Sequence, residues 1–167
     1  EDYGISYGEK QVFEGLHFEL RQGERVFLHG NNGCGKSSLI KAILRQSVSN
    51  MQETGTLYTA SGLVISYINQ DTSFLKGSLK NFCRERGLEE SLLFAILRQL
   101  DFERIQFEKN MEDYSEGQKK KVLIAASLLT GAHLYIWDEP LNYIDVFSRM
   151  QIEKLLLKYQ PTMLIVD

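Results

Sequence analysis

The chain is poor in the features that build disulfide-rich, zinc-stabilised or membrane-spanning proteins. It has 167 residues and only two cysteines, Cys34 and Cys83, too few for a disulfide framework or a tetrahedral zinc site. No apolar run approaches the ~20 residues that cross a bilayer, and no signal peptide is visible. We therefore expect a cytoplasmic protein that does not insert into a membrane.

The chain also lacks a strong excess of charge of either sign. Its formal net charge is -3, with 43% hydrophobic and 25% charged residues, which is ordinary for a globular domain. This balance gives no overall electrostatic case for binding nucleic acid. The length suits a single domain spanning 1–167. Because the chain starts without methionine and stops within an apolar run, we expect it to be part of a longer polypeptide.

The most informative stretch is Gly30–Ser37, with the pattern G-x-x-x-x-G-K-S; a glycine-rich turn without a ligand is the alternative. The flanking residues predict a strand over 25–28 and a helix over 36–45. The glycines let consecutive N–H groups turn toward a phosphate at the positive end of that helix. Lys36 is then expected to reach the β- and γ-phosphates of ATP, and the Ser37 hydroxyl to bind Mg²⁺. The predicted loop consists of Gly30, Asn31, Asn32, Gly33, Cys34, Gly35, Lys36, Ser37 and Ser38.

A second motif supplies carboxylates. The segment 133–137 predicts a buried strand, and Asp138, Glu139 and Pro140 follow it directly. Asp138 is placed to hold Mg²⁺, and Glu139 to orient or activate an attacking water. Two acids that merely open a loop after a strand are the alternative.

A third motif, 114–118, opens a predicted helix over 116–129. Ser115 is a natural N-cap, and the helix carries Lys119–Lys121 in its first turns, where acidic residues are usually preferred. Two interpretations stay open: the helix end faces an anion, or the lysines are solvated on a capped helix. At ~100° per residue, the three lysines cannot all face one ligand.

Periodicity places the remaining elements. Further strands are predicted at 5–7, 11–13, 16–20, 55–58, 63–68 and 163–166, and further helices at 78–86, 89–100 and 145–159. Alternation within 16–20 suggests one buried face, and one apolar stripe is expected from Leu92, Leu93, Ile96, Leu97 and Leu100. The pattern predicts an α/β fold with a β-rich start, a parallel sheet and a small helical insert at approximately 71–115.

The motifs occur in an order that resembles the ATP-binding-cassette (ABC) ATPases across essentially the whole chain. Those that carry the resemblance are Gly30–Ser37, Gln70, Ser115-x-Gly117-Gln118, Asp138-Glu139-Pro140 and Asn142-x-x-Asp145. The resemblance implies a P-loop NTPase fold of the ABC type with a mixed sheet, and a head-to-tail pair with a second cassette, in the same polypeptide or a homodimer. The signature residues Ser115, Gly117 and Gln118 would then close over the ATP bound by the partner.

The same resemblance assigns further roles. Gln70 would sense Mg²⁺ and the γ-phosphate and would act with Lys36 and Glu139 in hydrolysis. Tyr7 would stack on adenine, with Tyr3 as a rival, and Asp145 would belong to the loop that links the two sites. The family places a switch histidine directly after Asp167, so residue 168 of the parent protein is predicted to be His.

Some residues depart from the common pattern. Tyr114 and Glu116 replace Leu and Gly of L-S-G-G-Q, and 141–145 is closer to the T-N-H-L-D of the ABC-F branch. The chain looks most like the second, C-terminal cassette of the antibiotic-resistance ABC-F members of the Lsa and Vga type, which act on ribosomes. The insert has no room for the long arm of a first ABC-F cassette.

Three functions therefore stay open. The first is an ATPase cassette whose closure acts on the ribosome and gives antibiotic resistance. The second is the ATPase subunit of a membrane transporter. The third is a binding switch, in which nucleotide closes the pair and hydrolysis is a slow reset. As an isolated fragment, the chain is expected to hydrolyse ATP weakly, because single positioned groups contribute on the order of 10²–10³ in rate.

Overall fold

Seven β-strands and six α-helices make up the computed structural model, which describes residues 1–167. The strands are β1 Tyr3–Tyr7, β2 Lys10–Leu16, β3 Arg25–Leu28, β4 Met51–Thr54, β5 Ile65–Ile68, β6 Leu134–Asp138 and β7 Met163–Val166. The helices are α1 Lys36–Ile43, α2 Leu79–Arg86, α3 Glu90–Gln99, α4 Arg104–Glu108, α5 Glu116–Leu129 and α6 Val146–Tyr159, and a 3₁₀ turn spans Met111–Asp113.

The strands form two sheets. β2, β1 and β4 make a three-stranded antiparallel sheet, and β3, β7, β6 and β5 make a four-stranded parallel sheet in that order. The α/β class is confirmed, with antiparallel and parallel strands that lie in two sheets. The central strand β7 is buried along its whole length, as a continuous apolar run in a parallel sheet should be.

The parallel sheet gathers the motifs at one edge, because parallel strands end on the same side. The phosphate loop follows β3, Gln70 follows β5, and Asp138 is the last residue of β6. β7 ends at Val166, so Asp167 lies at the same edge.

Apolar cores cover both faces of the parallel sheet. Alternate residues of one strand point to opposite faces: Ile165 belongs to a core shared with α5 and the inserted helices, and Leu164 to a core shared with α1 and β1. The inserted helix α3 buries Leu93 and Leu97 completely, and each such side chain contributes about 1.5–3 kcal/mol.

A buried polar contact fixes α5 on the sheet. The Ser127 hydroxyl on α5 accepts a hydrogen bond from Trp137 Nε1 of β6 at 2.9 Å and lies 2.8 Å from the Ser66 hydroxyl of β5. Both interactions are buried, so they specify how the helix sits over the two strands.

Most predicted elements lie within two residues of the observed ones, but the strand expected at 16–20 is wrong. β2 ends at Leu16, and Phe18 is 39% exposed. The apolar alternation there describes residues of a connection that lean on a core edge, not a paired strand. Gly15 has a left-handed φ of +66° close to this point, where the pairing with β1 is irregular.

The strand expected at 55–58 is also wrong. β4 lies just before it and pairs with β1 as an exposed edge strand, so its polar sequence gives no alternating signal. Gly55 ends it with φ +73°, and a side chain there would strike the Asp2 backbone. The helix α4, with five residues, is too short to be detected by periodicity. The apolar stripe expected on α3 is narrower than predicted, because Leu92 is 47% exposed.

Candidate nucleotide-binding site

The phosphate loop connects β3 to α1 through two glycines in left-handed conformations. Gly33 has φ +82°, and Gly35, the residue before α1, has φ +101°. A Cβ on Gly35 would also strike the side chains of Val12 and Phe13. No side chain caps the start of α1, so the N–H groups of its first turn are free to bind an anion.

Lys36 folds back across this loop. Its ammonium donates hydrogen bonds to the Gly30 carbonyl and, at 3.0 Å, to the Asp167 carbonyl. The Gly30 carbonyl carries no formal charge, so the ammonium has a stronger partner available in a phosphate group. The contact with Asp167 also brings the end of β7 to the phosphate loop.

The two tyrosines predicted as candidates for stacking on adenine, Tyr7 and Tyr3, differ in burial. The Tyr7 hydroxyl lies 2.9 Å from the Ser38 hydroxyl in the first turn of α1, so Tyr7 lies beside the phosphate loop. Tyr3 is only 4% exposed and packs against Phe13. The rival position is therefore a core residue, and burial raises the pKa of its hydroxyl, with Glu53 adding to the effect.

Asp138 and Gln70 meet as their strand positions predict. Asp138 is 3% exposed, and Gln70 Nε2 donates a hydrogen bond to its Oδ1 at 3.1 Å. Burial raises the pKa of Asp138, the Gln70 hydrogen bond opposes this rise, and the Glu139 charge adds to it. A buried carboxylate with a raised pKa is one that a bound cation stabilises.

These groups fit Mg²⁺, which prefers hydroxyl, carboxylate and carbonyl oxygens. Asp138 offers a carboxylate, Gln70 beside it offers an amide oxygen, and the exposed residue Ser37, in the first turn of α1, offers a hydroxyl. Asp138 pairs with Val166, and Lys36 contacts the next residue, Asp167, so the phosphate loop and the acidic turn belong to one site.

Glu139 occupies an unusual backbone position. Its φ is +46°, in the left-handed region that non-glycine residues rarely adopt. Its N–H donates to the Val166 carbonyl at 2.8 Å, and its carboxylate accepts from Asn142 Nδ2 at 2.7 Å. Its own carbonyl accepts from the Lys120 ammonium at 3.1 Å. Strand β7, helix α5 and Asn142 of its own turn therefore hold this residue.

The signature segment forms a capping box at the start of α5. The Ser115 hydroxyl accepts from the Gln118 N–H at 3.2 Å, and the Gln118 side chain accepts from the Ser115 N–H at 3.0 Å. These hydrogen bonds stay within the segment and do not reach the phosphate loop of the same chain. Ser115 is exposed, whereas the Gln118 side chain is half-buried and occupied by the cap.

The two signature positions after Ser115 differ in their surroundings. Glu116 accepts a hydrogen bond from the buried Thr72 hydroxyl at 2.7 Å, which ties the segment after Gln70 to α5. Gly117 is buried, and a Cβ there would strike the Tyr143 carbonyl. This explains why a glutamate is accommodated at the first position while the second needs glycine.

The loop after Glu139 is tied to α5 by an ion pair. Asp145 caps α6 by accepting from the Ser148 N–H at 2.9 Å, and its other oxygen lies 2.9 Å from the Lys121 ammonium. Burial raises the pKa of Asp145, but the hydrogen bonds from Lys121 and Ser148 outweigh it and hold that pKa well below its usual range.

The buried lysines of α5 contact other parts of the chain. Lys120 and Lys121 are buried, at 3% and 8% exposure, so the interpretation of solvated lysines is wrong for them. Their ammonium groups contact the Glu139 carbonyl and Asp145, and the interpretation that the helix end faces an anion stays a prediction. Lys119 lies 3.6 Å from Glu116. Sequence patterns missed the contacts of Lys120, Lys121 and Thr72, because each joins segments that are distant in the chain.

A phosphate loop and an acidic turn at the carboxyl edge of a parallel sheet define a P-loop NTPase domain. The chain belongs to the ABC transporter family, whose family model matches residues 13–142. It is an ABC ATPase domain, a module that binds and hydrolyses ATP.

Curated relatives match almost the whole chain. The ATP-binding protein Uup of Buchnera aphidicola is 34% identical over 95% of the chain, and the ribosome protection protein VmlR of Bacillus subtilis is 29% identical over 97% of it. The chain spans 27% and 29% of these two relatives. The aliphatic sulfonates import ATP-binding protein SsuB 1 of Shouchella clausii is 27% identical over 92% of the chain, which spans 62% of that relative.

Solved structures show the same fold. A putative ABC transporter ATP-binding protein from Pyrococcus furiosus superposes with a TM-score of 0.77, covering 99% of this chain and 88% of that one at 21% identity.

None of the helices in the structure is both long enough and apolar enough to cross a bilayer.

Proposed function

We propose that the chain is the second, C-terminal cassette of an ABC-F protein of the Lsa and Vga type, which acts on the ribosome and gives resistance to ribosome-targeting antibiotics. The observation that carries the proposal is the similarity to VmlR, named a ribosome protection protein, over 97% of the chain. The segment 141–145, close to T-N-H-L-D, supports the ABC-F branch. A place on the ribosome would make the parent protein cytoplasmic.

The site chemistry follows from the contacts of its residues. Residues 30–38 hold the phosphates of ATP, and Lys36 exchanges its two carbonyl partners for phosphate oxygens. Mg²⁺, held by Ser37, Asp138 and Gln70, would neutralise phosphate charge. Glu139 orients or activates the attacking water, and Tyr7, which lies beside the loop next to Ser38, would stack on the adenine.

Closure uses the signature segment at the start of α5. Ser115 is exposed at the start of α5, whose N-terminus carries a partial positive charge, and it approaches the ATP bound by the partner cassette. Gln118 supports it through the capping box. Gly117 contributes by letting the loop at Tyr143 pack against α5, and Asp145 ties that loop to the same helix.

The similarity to an import ATPase supports a second candidate, the ATPase subunit of a membrane transporter. Both candidates use the same phosphate loop, acidic turn and signature segment. They differ in the partner that closure moves: a ribosome-bound element in one case and membrane-spanning helices in the other. In the third function, the binding switch, hydrolysis only resets the closed pair. It uses the same site, and blocking hydrolysis distinguishes it from the other two functions.

The test is nucleotide-dependent binding to ribosomes by the full-length polypeptide that carries this chain. Its Glu139→Gln variant, which retains the phosphate loop, should co-sediment with ribosomes in the presence of ATP. The same variant carrying Lys36→Ala as well should not. Ribosome binding that does not depend on ATP would contradict the proposal. ATP-dependent binding to a membrane complex alone would contradict it and favour the transporter.

A further inference from the structure

Lys120 is a buried cation that the proposed chemistry leaves without a role. It lies on α5, where its residue is only 3% exposed, and its ammonium donates to the Glu139 carbonyl at 3.1 Å. Its neighbours on the helix have other partners, Glu116 for Lys119 and Asp145 for Lys121. Lys120 is therefore the lysine of this group that reaches the acidic turn.

Burying an ammonium is unfavourable unless its charge and its hydrogen-bond donors are matched. The negative charges of three acidic side chains favour the charged form of Lys120. They are Glu139 and Asp138 at the end of β6, and Glu116 on the same helix as Lys120. The direct contact, however, goes to the backbone of Glu139 and not to any of these carboxylates. The ammonium therefore contacts the main chain of the acidic turn, while the two carboxylates have Gln70 and Asn142 as their hydrogen-bond donors.

The turn that Lys120 contacts is one that needs support. Glu139 has φ +46°, and a non-glycine residue keeps such a conformation only when its surroundings hold it. The Val166 carbonyl holds its N–H, and Lys120 holds its carbonyl. With both ends of the residue fixed, the direction in which its side chain leaves the backbone is fixed, and Asn142 then holds the carboxylate at 2.7 Å.

We propose that Lys120 is a positioning residue for hydrolysis, which holds the Glu139 carbonyl and so aims the Glu139 carboxylate at the attacking water. The inference rests on the proposed role of Glu139. Because Lys120 belongs to the helix that begins next to Ser115, the contact also links the signature segment to the acidic turn of the same chain.

The test compares Lys120→Met with Lys119→Met in the full-length polypeptide. Both variants remove one charge from the same helix at similar side-chain volume, but only the first removes the contact with Glu139. We expect kcat for ATP hydrolysis to fall about 10- to 100-fold in Lys120→Met, with KM and MgATP affinity within about twofold of wild type. Lys119→Met should hydrolyse ATP like wild type. An unchanged kcat in folded Lys120→Met overturns the inference.

A second readout needs no nucleotide. Hydrogen exchange of the Glu139 amide, which bonds to Val166, should accelerate in Lys120→Met and not in Lys119→Met, because the turn loses its other anchor. Equal protection in the two variants would contradict the positioning role. If Lys120→Met does not fold, Lys120→Gln keeps a donor on a shorter side chain, and its kcat should still fall at least about threefold. Wild-type kcat in that variant also overturns the inference.

A double-mutant cycle separates positioning from general damage. If Lys120 acts through Glu139, adding Lys120→Met to Glu139→Gln should cause no further loss in single-turnover hydrolysis. Additive losses would overturn the inference. Failure of the proposed function gives a different result. If hydrolysis by the wild-type protein does not depend on Lys36, the proposed role of Glu139 in hydrolysis is itself refuted.

Discussion

The ion pair between Lys121 and Asp145 gives the sharpest stability prediction. The ammonium and the carboxylate oxygen are 2.9 Å apart, with side-chain exposures of 10% and 49%. Asp145→Asn removes the charge but retains an N-cap for α6, since Asn and Asp cap helices about equally well. Half of the carboxylate is exposed, so solvent screening limits the effect, and we expect a loss of about 0.5–1.5 kcal/mol at pH 7.

The pH dependence gives this prediction its sign. The folded-state pKa of Asp145 is held below its ordinary value, so the folded protein binds this proton less readily than the unfolded chain. The contribution is complete above the unfolded pKa of about 3.9 and is lost as the pH falls through the lower folded pKa. The stability difference between wild type and Asp145→Asn should therefore be constant from about pH 7 to pH 5 and shrink below about pH 4.

Urea denaturation between pH 3 and pH 7 measures that difference. Lys121→Met breaks the same pair from the other side, and the double variant closes a cycle that isolates the interaction. A coupling energy near zero, or a difference between wild type and Asp145→Asn that does not depend on pH, would refute the reasoning. Both variants should retain the helical content of the wild type by circular dichroism.

Three further variants test other contacts. Ser127→Ala leaves the buried Trp137 N–H without its acceptor and should lower the free energy of unfolding by about 1–3 kcal/mol in urea denaturation; a loss near zero would contradict this. Gly117→Ala forces a methyl group against the Tyr143 carbonyl and should cost about 1–3 kcal/mol by the same measurement, so wild-type stability would refute the close approach. Lys36→Ala removes contacts to two carbonyls only and should leave stability unchanged while weakening MgATP binding about 10- to 100-fold in a fluorescent-nucleotide titration; equal affinity would contradict the site.

Local motifs carried most of the site prediction. The phosphate loop, Asp138 and Glu139 were predictable because a short pattern states both the residue types and the turn that presents them. The structure then distinguished Tyr7 from Tyr3. Both are tyrosines on β1, but Tyr3 is buried in the core, whereas Tyr7 contacts Ser38 beside the phosphate loop. That distinction depends on α1, and strand periodicity carries no information about it.

The unpredicted contacts are those between distant segments. Thr72 meets Glu116 across 44 positions, and Lys120 meets Glu139 across 19, so neither pair has a spacing that a periodic pattern can show. β4 escaped for a related reason: it is an exposed edge strand, and its only structural signal is its pairing with β1. Tertiary context therefore decided how the lysines of α5 and the polar edge strand are used.

Protection of translation tests the central proposal most directly. The full-length polypeptide would be added to a ribosomal translation reaction inhibited by a ribosome-targeting antibiotic, with ATP present. We predict that the wild-type protein restores product formation and that its Lys36→Ala variant does not, because the phosphate loop then holds ATP poorly. Restoration by Glu139→Gln alone would assign hydrolysis to resetting the closed state. No restoration by the wild-type protein with any class of ribosome-targeting antibiotic would contradict the ribosome-protection function.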